Sequence, residues 1–358
     1  MASLVWYCTA HGFGHAVRSG LVLAELRRRA PALAVHVRAA APPWIFPSGV
    51  DYRRLIADFG IVQQDSLSED LDATLARAAE FAADLPALLA EEVAFLRSID
   101  ATLVVGDLPP LAFLAAHAAG VPAVGLGNFA WDWIYAAYAA QRPAFTRLAE
   151  DARAAYGHAA LLLRLPFHGD MSAFTRIEDV PLVARRAPED RAACRAQFQL
   201  PPAAKIVLLS FGGIGLDRFP YDRLPALSDY YFVVTDAAAP RLPNLRVLSP
   251  QQRGYQALVR AADVVLTKPG YGIVADCLAA QTRVLYSDRG AFPEYPILVD
   301  ALESCGPALH LPRAALLAGD LGPSLDRLLA LERPWRVPCI DGAAVAATRL
   351  LNLLADAA

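Results

Sequence analysis

Cysteine is scarce in this sequence and shows no spacing that would bind a metal. The five cysteines are odd in number, and neither a Cys-x-x-Cys pair nor a Cys/His ligand pattern occurs among them. They are scattered along the chain, mostly in apolar segments, at Cys8, Cys194, Cys277, Cys305 and Cys339. This excludes a disulfide-rich scaffold and predicts reduced core thiols, a reducing compartment and a cytoplasmic protein without a metal site.

Charge is also low, and the two signs nearly cancel. The 33 basic and 36 acidic side chains give a net charge of −3, which argues against nucleic acid or an anionic membrane surface as a partner. Hydrophobic residues make up 56% of the chain and charged residues 19%, so a disordered chain is excluded. The longest charge-free run, 108–131, is interrupted by proline and glycine, which favours a helix and a buried strand over a membrane span. The first residues lack the basic region of a signal peptide.

The length of 358 residues predicts about two domains. Short apolar runs alternate with helical patterns in both halves, which predicts an α/β fold of two Rossmann-like, doubly wound parallel sheets. We expect a first domain over 1–165, a linker over 166–200, a second domain over 201–340, and a terminal helix over 341–358 that packs back on the first domain. Residues 66–99 are predicted to be mostly helical, with Pro86 breaking or kinking the helix.

The segment 262–298 has the pattern of a β-α-β unit that binds a nucleotide. A buried strand over 264–266 leads into the turn Lys268-Pro269-Gly270-Tyr271-Gly272, and a helix follows. Free N–H groups at a helix start favour an anion such as a diphosphate, whose charge Lys268 would help to neutralise. Asp276, one turn further, can accept hydrogen bonds from a ribose diol. The alternative is an ordinary strand-turn-helix in which the glycines serve only the turn and Lys268 is solvated.

The first loop, which follows a strand over 4–8, reads His11-Gly12-Phe13-Gly14-His15. It faces the carboxyl end of the sheet, where open α/β folds bind ligands, and a neutral histidine there can take a proton from a hydroxyl. The alternative is that the histidines only cap the helix. Asp107, at another strand end, is a second candidate base or orients a histidine.

Two further segments supply candidate contacts. Asp132, between two tryptophans, is either a third candidate base or an ordinary helix N-terminal carboxylate, and Trp131 either stacks on an acceptor or packs in the core. In the second half, the loop from Ser210 through Gly212 and Gly213 repeats the architecture of the first loop, so its N–H groups are expected to face a diphosphate from the other side.

Three longer motifs, together with the first loop, resemble known proteins. Asn-Phe-Ala-Trp-Asp-Trp-Ile-Tyr at 128–135, Asp-Val-Pro-Leu-Val-Ala-Arg-Arg at 179–186 and Lys-Pro-Gly-Tyr-Gly at 268–272 resemble the glycosyltransferase-like N-terminal region of L-arabinokinases. The two glycine-loop halves resemble the GT-B glycosyltransferase fold, and the first loop and 262–294 resemble the MurG type. The loop 288–295 departs from the glutamine pair of that type. We do not expect sugar kinase activity from this resemblance.

The resemblance implies a glycosyltransferase whose substrates are small molecules: an NDP-sugar donor, expected to be UDP-linked, and an acceptor hydroxyl. Because helix dipoles and Lys268 would stabilise the leaving group, we expect a reaction that needs no metal and no cofactor. His15 or His11 is expected to act as the base of a single inverting displacement. The expected donor contacts are Ser210, Gly212, Gly213, Val247, Leu248, Lys268, Gly270, Tyr271, Gly272, Asp276, Arg289 and Glu294. The expected acceptor contacts are Gly12, Phe13, Gly14, Asn128, Trp131 and Asp132.

Two alternatives keep the fold and change the function. One is an enzyme like the UDP-GlcNAc 2-epimerases, which hydrolyses or epimerises a UDP-sugar. The other is a non-catalytic module that binds sugar nucleotides. The sequence leaves the acceptor, the donor sugar and the oligomeric state open.

Overall fold

The computed structural model describes residues 2–65, 68–211, 219–249 and 254–356. The first half contains nine strands and five α-helices in those ranges. In chain order they are β1 Ser3–Cys8, α1 Phe13–Arg29, β2 Ala34–Ala39, β3 Asp51–Arg54, β4 Gln63–Asp65, β5 Ser68–Glu69, α2 Leu71–Ser98, β6 Leu103–Asp107, α3 Pro110–Ala119, β7 Ala123–Gly127, α4 Trp131–Tyr138, α5 Phe145–Tyr156, β8 Leu161–Arg164 and β9 Ile177–Asp179.

The second half and the terminal helix follow the same alternation. Their elements are α6 Arg191–Gln197, β10 Lys205–Ser210, β11 Tyr230–Val234, β12 Leu245–Val247, α7 Tyr255–Ala261, β13 Val264–Thr267, α8 Tyr271–Ala280, β14 Arg283–Ser287, α9 Glu294–Cys305, β15 Ala308–Leu311, α10 Arg313–Ala318, α11 Gly322–Ala330 and α12 Gly342–Asp356.

Each half is built on one parallel sheet. The first has the strand order β3-β2-β1-β6-β7-β8-β9 and the second β12-β11-β10-β13-β14-β15, while β4 and β5 form a separate antiparallel pair. The central strands are mostly apolar and buried, as expected for strands covered by helices on both faces, and every residue of β1 is buried. The prediction of two Rossmann-like halves is confirmed.

The strand order reverses direction at β1/β6 in the first sheet and at β10/β13 in the second. Ligands of open α/β sheets bind in the crevice outside the carboxyl ends of the strands at such switch points. The loops after β1 and β13 carry the two glycine motifs and Lys268, and Asp107 is the last residue of β6. The fold therefore places the candidate residues of both halves at ligand-binding positions.

The helices differ from expectation at two places. Asp70 caps α2 by accepting a hydrogen bond from Ala73 N (2.8 Å), so this helix begins at Leu71 rather than at 66. It also runs through Pro86, which neither ends nor breaks it; Pro86 is exposed, so water can bond the carbonyl that lost its partner.

The halves are joined by the segment 166–200 and by the terminal helix. Within that segment β9 pairs in parallel with β8, which extends the first sheet beyond residue 165. Helix α12 lies against α1, where Arg29 donates to Thr348 Oγ1 (2.5 Å), and Arg349 Nε donates to Glu178 of β9 (2.6 Å). Among the described residues, no helix combines the length and the apolar character needed to cross a membrane.

Candidate functional site

A cavity of about 710 Å³ is lined by loops from both halves. Twelve of the predicted site residues contribute to its lining: His11, Gly12, Phe13, Gly14, His15, Ser210, Lys268, Gly270, Tyr271, Gly272, Arg289 and Glu294. Seven others are not among the lining residues: Asp107, Asn128, Trp131, Asp132, Val247, Leu248 and Asp276. Gly212 and Gly213 lie outside the described residues.

The two glycine loops meet in this cavity at very short range. A Cβ built on Gly272 would lie 3.3 Å from Gly14 Cα, so the backbones at the starts of α1 and α8 almost touch. Neither helix has an acidic side chain in its first turn. Because a helix start carries partial positive charge and free N–H groups, the cavity presents two anion-attracting helix ends side by side.

His15, which is 8% exposed, is held by the fully buried Asp107. His15 Nδ1 lies 2.8 Å from Asp107 Oδ1, because β1 and β6 are neighbours and Asp107 ends β6 level with Cys8. Arg18 Nε donates to Asp107 Oδ2 (2.8 Å), and Ser19 Oγ donates to the same oxygen (2.9 Å). Both oxygens of Asp107 are thus occupied inside the protein, and the carboxylate faces His15 rather than the cavity.

The charges around Asp107 fix the protonation of His15 Nδ1. Burial favours the neutral acid, but Arg18 and His15 lower the pKa of Asp107 to about 2, so it is an anion at neutral pH. An anion accepts, so Nδ1 carries the hydrogen of that bond, although Arg18 Nη2 also lies 2.9 Å from Nδ1. The neutral tautomer then has its lone pair on Nε2. That nitrogen is the one of the pair able to take a proton from a ligand.

His11 occupies a different environment from His15. Its ring stacks on Phe292 at 5.8 Å and meets the edge of Trp131 at 5.3 Å. Burial lowers its pKa well below the usual range, and the charges of Arg289, His15, Lys268 and Arg77 add to the effect. His11 is therefore neutral at physiological pH and is packed between aromatic rings.

Trp131 belongs to the core rather than to an acceptor surface. It is fully buried, it stacks on Tyr135 at 5.4 Å, and its indole N–H donates to Asp58 Oδ2 (2.9 Å). Asp58 also accepts from Ala10 N (3.0 Å), so it ties the first loop to α4. Asp58 was not predicted from the sequence, because its loop after β3 carries no motif. Of the two alternatives that the sequence left open for Trp131, this structure shows packing in the core.

Asp132 is likewise turned away from the cavity. It is 5% exposed, and its Oδ2 accepts from Arg153 Nη1 (3.2 Å). Burial raises its pKa, with Arg153 opposing the shift. This is the arrangement of a carboxylate in the first turn of a helix, the alternative that the sequence left open.

Asn128 links the two halves instead of lining the cavity. It is fully buried, its Oδ1 accepts from Arg18 Nη1 (2.6 Å), and its Nδ2 donates to Glu294 Oε1 (2.8 Å). Glu294 Oε2 accepts from Arg289 Nη1 (3.0 Å), which also donates to the carbonyl of Pro269 (3.0 Å). A chain of buried hydrogen bonds therefore runs from His15 and Asp107, through Arg18 and Asn128, to the turn before α8. Arg18, three residues after His15 on the same helix face, was also missed by the sequence analysis.

Asp276 is 3% exposed, and its carboxylate is occupied by Arg185. Arg185 N donates to Oδ1 (3.1 Å), Nε donates to Oδ2 (2.9 Å), and Nη2 also contacts Oδ2. The Arg185 guanidinium lies 5.1 Å above the ring of Tyr255, whose hydroxyl is 2.5 Å from Ser210 Oγ. A carboxylate this deeply buried is stabilised by a cation beside it, and in this structure the segment between the halves supplies that cation.

The base site expected at Val247 and Leu248 lies at the edge of the second sheet. Val247 ends β12, and Leu248 N donates to Val234 O (2.8 Å). Among the described residues, no group of three or more histidine, cysteine, aspartate or glutamate side chains has a metal-binding arrangement.

Comparison with known proteins identifies the fold. No family model matches the chain. L-arabinokinase from Arabidopsis thaliana is 33% identical over 350 residues, which is 94% of this chain but 32% of that protein, so the chain spans about a third of its length. Three solved structures are similar over 99% of this chain. A glycotransferase of kitacinnamycin has a TM-score of 0.64 and 18% identity, with 95% of its chain covered, and MurG of Acinetobacter baumannii has a TM-score of 0.56 and 14% identity, with 100% covered. UDP-glucose: anthocyanidin 3-O-glucosyltransferase in complex with UDP has a TM-score of 0.62 and 12% identity, with 94% of its chain covered. The two facing Rossmann-like halves are the GT-B fold of glycosyltransferases.

Proposed function

We propose that this protein is a glycosyltransferase that moves a sugar from an NDP-sugar, with UDP as the expected nucleotide, to an acceptor hydroxyl. The observation that carries the proposal is that His15, held from behind by the buried Asp107, lines a cavity where two helix N-termini converge. One side of the cavity thereby offers a proton acceptor, and the other offers an anion site.

In the proposed reaction the acceptor hydroxyl gives its proton to His15 Nε2 as its oxygen bonds to the anomeric carbon. The bond from that carbon to the diphosphate oxygen breaks, and the nucleoside diphosphate leaves with the electron pair. Asp107 stabilises the imidazolium that forms, which is the usual role of a carboxylate behind a histidine base. A single displacement of this kind inverts the anomeric centre.

The leaving diphosphate is stabilised by groups that the chain already provides. Gly270, Tyr271 and Gly272 present the start of α8, and Lys268 stands at the end of β13 beside it. Preorganised N–H groups and a cation can stabilise such a charge without rearranging in the transition state. We propose on these grounds that the reaction does not depend on a metal ion.

The remaining donor contacts follow from the same placement. Arg289 and Glu294 line the cavity beside α8 and are proposed to contact the sugar hydroxyls. Asp276, one turn into α8, is proposed to hold the ribose, and the edge of the second sheet near Val247 and Leu248 is proposed to hold the base. Gly12, Phe13 and Gly14 are proposed to contact the acceptor from the first half.

Titration calorimetry with UDP, GDP, ADP, dTDP and their glucose conjugates tests the proposal. We expect UDP and a UDP-sugar to bind, and we expect a matching sugar nucleotide to be consumed when a panel of hydroxyl acceptors is supplied. Binding of none of these nucleotides would contradict the proposal. Release of UDP and free sugar at the same rate with and without acceptors would favour a hydrolase on the same fold.

A further inference from the structure

The proposed ribose site is closed off from the cavity in this structure. Gly272 and Ile273 line the cavity, but Asp276, on the next turn of α8, does not. Ser210, also of the second half, lines the cavity, and its Oγ lies 2.5 Å from the hydroxyl of Tyr255. Arg185 lies over this Tyr255 ring and bonds Asp276, so its guanidinium covers the acid that is proposed to hold the ribose.

The pairing of Arg185 with Asp276 takes up most of the accepting capacity of that carboxylate. An ionised carboxylate has about four lone-pair directions, and Arg185 takes three with its N–H, Nε and Nη2 groups. A ribose diol needs two directions that lie close together. The backbone N–H bond can persist with ribose bound, but the guanidinium bonds to Oδ2 must open.

Arg185 is placed so that it can leave. Its side chain is 23% exposed, whereas that of Asp276 is 3% exposed, so the cation has a path to solvent and the acid has none. Its side chain extends from the segment between the halves, outside any helix or strand. Arginine also carries a long, flexible stem, and its charge is easily hydrated once it is released.

We propose that Arg185 is a residue of the nucleotide site, and that it covers Asp276 in the free protein and releases it when a ribose diol binds. This rests on the proposed function, since it requires a nucleotide whose ribose reaches Asp276. The measured affinity is then lower than the intrinsic affinity, because only the fraction of molecules with Arg185 displaced can bind the ribose.

The test is titration calorimetry with UDP and 2′-deoxy-UDP on the full chain and on Arg185→Met. We expect Arg185→Met to bind UDP about 5- to 20-fold more tightly, because the competing ion pair is gone. Loss of a positive charge would by itself weaken the binding of an anion. Tighter UDP binding by Arg185→Met could therefore not be explained by the change in charge. The 2′-deoxy nucleotide offers Asp276 one hydroxyl in place of two. Arg185→Met should therefore increase the affinity for 2′-deoxy-UDP clearly less than the affinity for UDP.

Arg186→Met is the matched control, since it removes the same charge from the exposed neighbouring residue and should leave UDP affinity equal or slightly lower. Arg185→Gln is a second variant that keeps hydrogen-bonding groups for Asp276, and thermal melts would verify that each variant is folded. We expect the UDP affinity of Arg185→Gln to lie between that of the wild type and that of Arg185→Met.

Three sets of results would overturn the inference. If the wild type binds UDP and both Arg185 variants bind it equally or more weakly, Arg185 does not cover the site, and the proposed function stands without it. An equal gain for UDP and 2′-deoxy-UDP would show that Arg185 acts on another part of the nucleotide. A complete absence of nucleotide binding in the wild type and in the variants would reject both this inference and the proposed function.

Discussion

Asn128 of the first half donates its side-chain amide to Glu294 of the second half, with Nδ2 and Oε1 2.8 Å apart and both residues almost fully buried. Asn128 also accepts from Arg18, which holds Asp107, and Glu294 also accepts from Arg289. The proposed base and the proposed sugar-binding residues therefore belong to a single hydrogen-bonded chain. A movement of one half against the other would disturb both ends of it.

Removing the amide should reveal this link. We expect Asn128→Ala to lower the free energy of unfolding by about 1–3 kcal/mol, because it leaves a donor of Arg18 and an acceptor of Glu294 buried without a partner. A double-mutant cycle with Glu294→Gln, measured by chemical denaturation, should show that the two changes are not additive. Additive effects would mean that the contact contributes little in solution.

The acid sensitivity of the fold should depend in part on Asp107. Its pKa is lowered from 3.8 to about 2 by Arg18 and His15, against the effect of burial, so it stabilises the folded state above the unfolded value. That contribution, roughly 2 kcal/mol, should be lost as the pH falls from about 4 to about 2. Asp107→Asn should therefore show a shallower loss of stability in this range, measured by chemical denaturation at a series of pH values.

Asp58 serves as a control, because its pKa is shifted in the opposite direction from that of Asp107. Burial raises its pKa, so its contribution is largest at low pH and is lost as the pH rises through the folded-state value. Asp58→Asn should make the acid slope steeper than that of the wild type. Parallel slopes for the wild type and both variants would show that neither pKa is shifted as the geometry implies.

The contact between Gly14 and Gly272 should limit side-chain size in the cleft. A methyl group on Gly272 would lie 3.3 Å from Gly14 Cα, closer than an ordinary contact, whereas one on Gly14 would meet Gly272 N at 3.7 Å. Gly272→Val should weaken UDP binding by about tenfold or more, since it separates the two helix ends that form the anion site. Gly14→Ala should change the UDP affinity little. If calorimetry shows equal losses of UDP affinity in the two variants, the close contact between Gly14 and Gly272 does not shape the anion site.

Turnover should persist after treatment with EDTA. The starts of α1 and α8 and the ammonium of Lys268 supply positive charge where the diphosphate is proposed to bind. An assay of sugar-nucleotide consumption after treatment with the chelator and gel filtration tests this. Loss of activity that Mg²⁺ or Mn²⁺ restores would contradict the proposed diphosphate site.

Much of the fold could be predicted because it depends on local patterns. Apolar runs of four to six residues give buried parallel strands, and glycines after β1 and β13 mark the turns into α1 and α8. The positions of His15 and Asp107 followed as well, since His15 comes shortly after β1, Asp107 ends β6, and the carboxyl ends of parallel strands share one edge of a sheet. The sequence left open whether Asp107 is a base or orients a histidine, and the neighbouring strands place it against His15 Nδ1.

The partners of buried charges could not be predicted in the same way. Asp276 and Arg185 are 91 positions apart, and no pattern in either segment indicates that they meet. The role of Trp131 could not be predicted either. An aromatic side chain suits both stacking on a ligand and packing in a core, so the sequence does not distinguish the two. Arg18 was within reach of sequence reasoning, since a residue three positions after a candidate base lies on the same helix face.

The histidine base gives the most direct test of the proposed reaction. We expect His15→Ala to lower the turnover of the sugar nucleotide by about 10²- to 10⁴-fold, the usual share of general-base catalysis, with little change in UDP affinity. The affinity should be preserved because the proposed ribose and sugar contacts lie on the second half, and because the substitution leaves the backbone at the start of α1 in place. His11→Ala is the matched control from the same loop: its ring packs between Phe292 and Trp131, and its lowered pKa makes it a weak base. It should retain far more turnover than His15→Ala once folding is verified by a thermal melt. Near-normal turnover in both variants would exclude histidine as the base, whereas loss of folding in His15→Ala would show that its bond to Asp107 serves the structure of the loop.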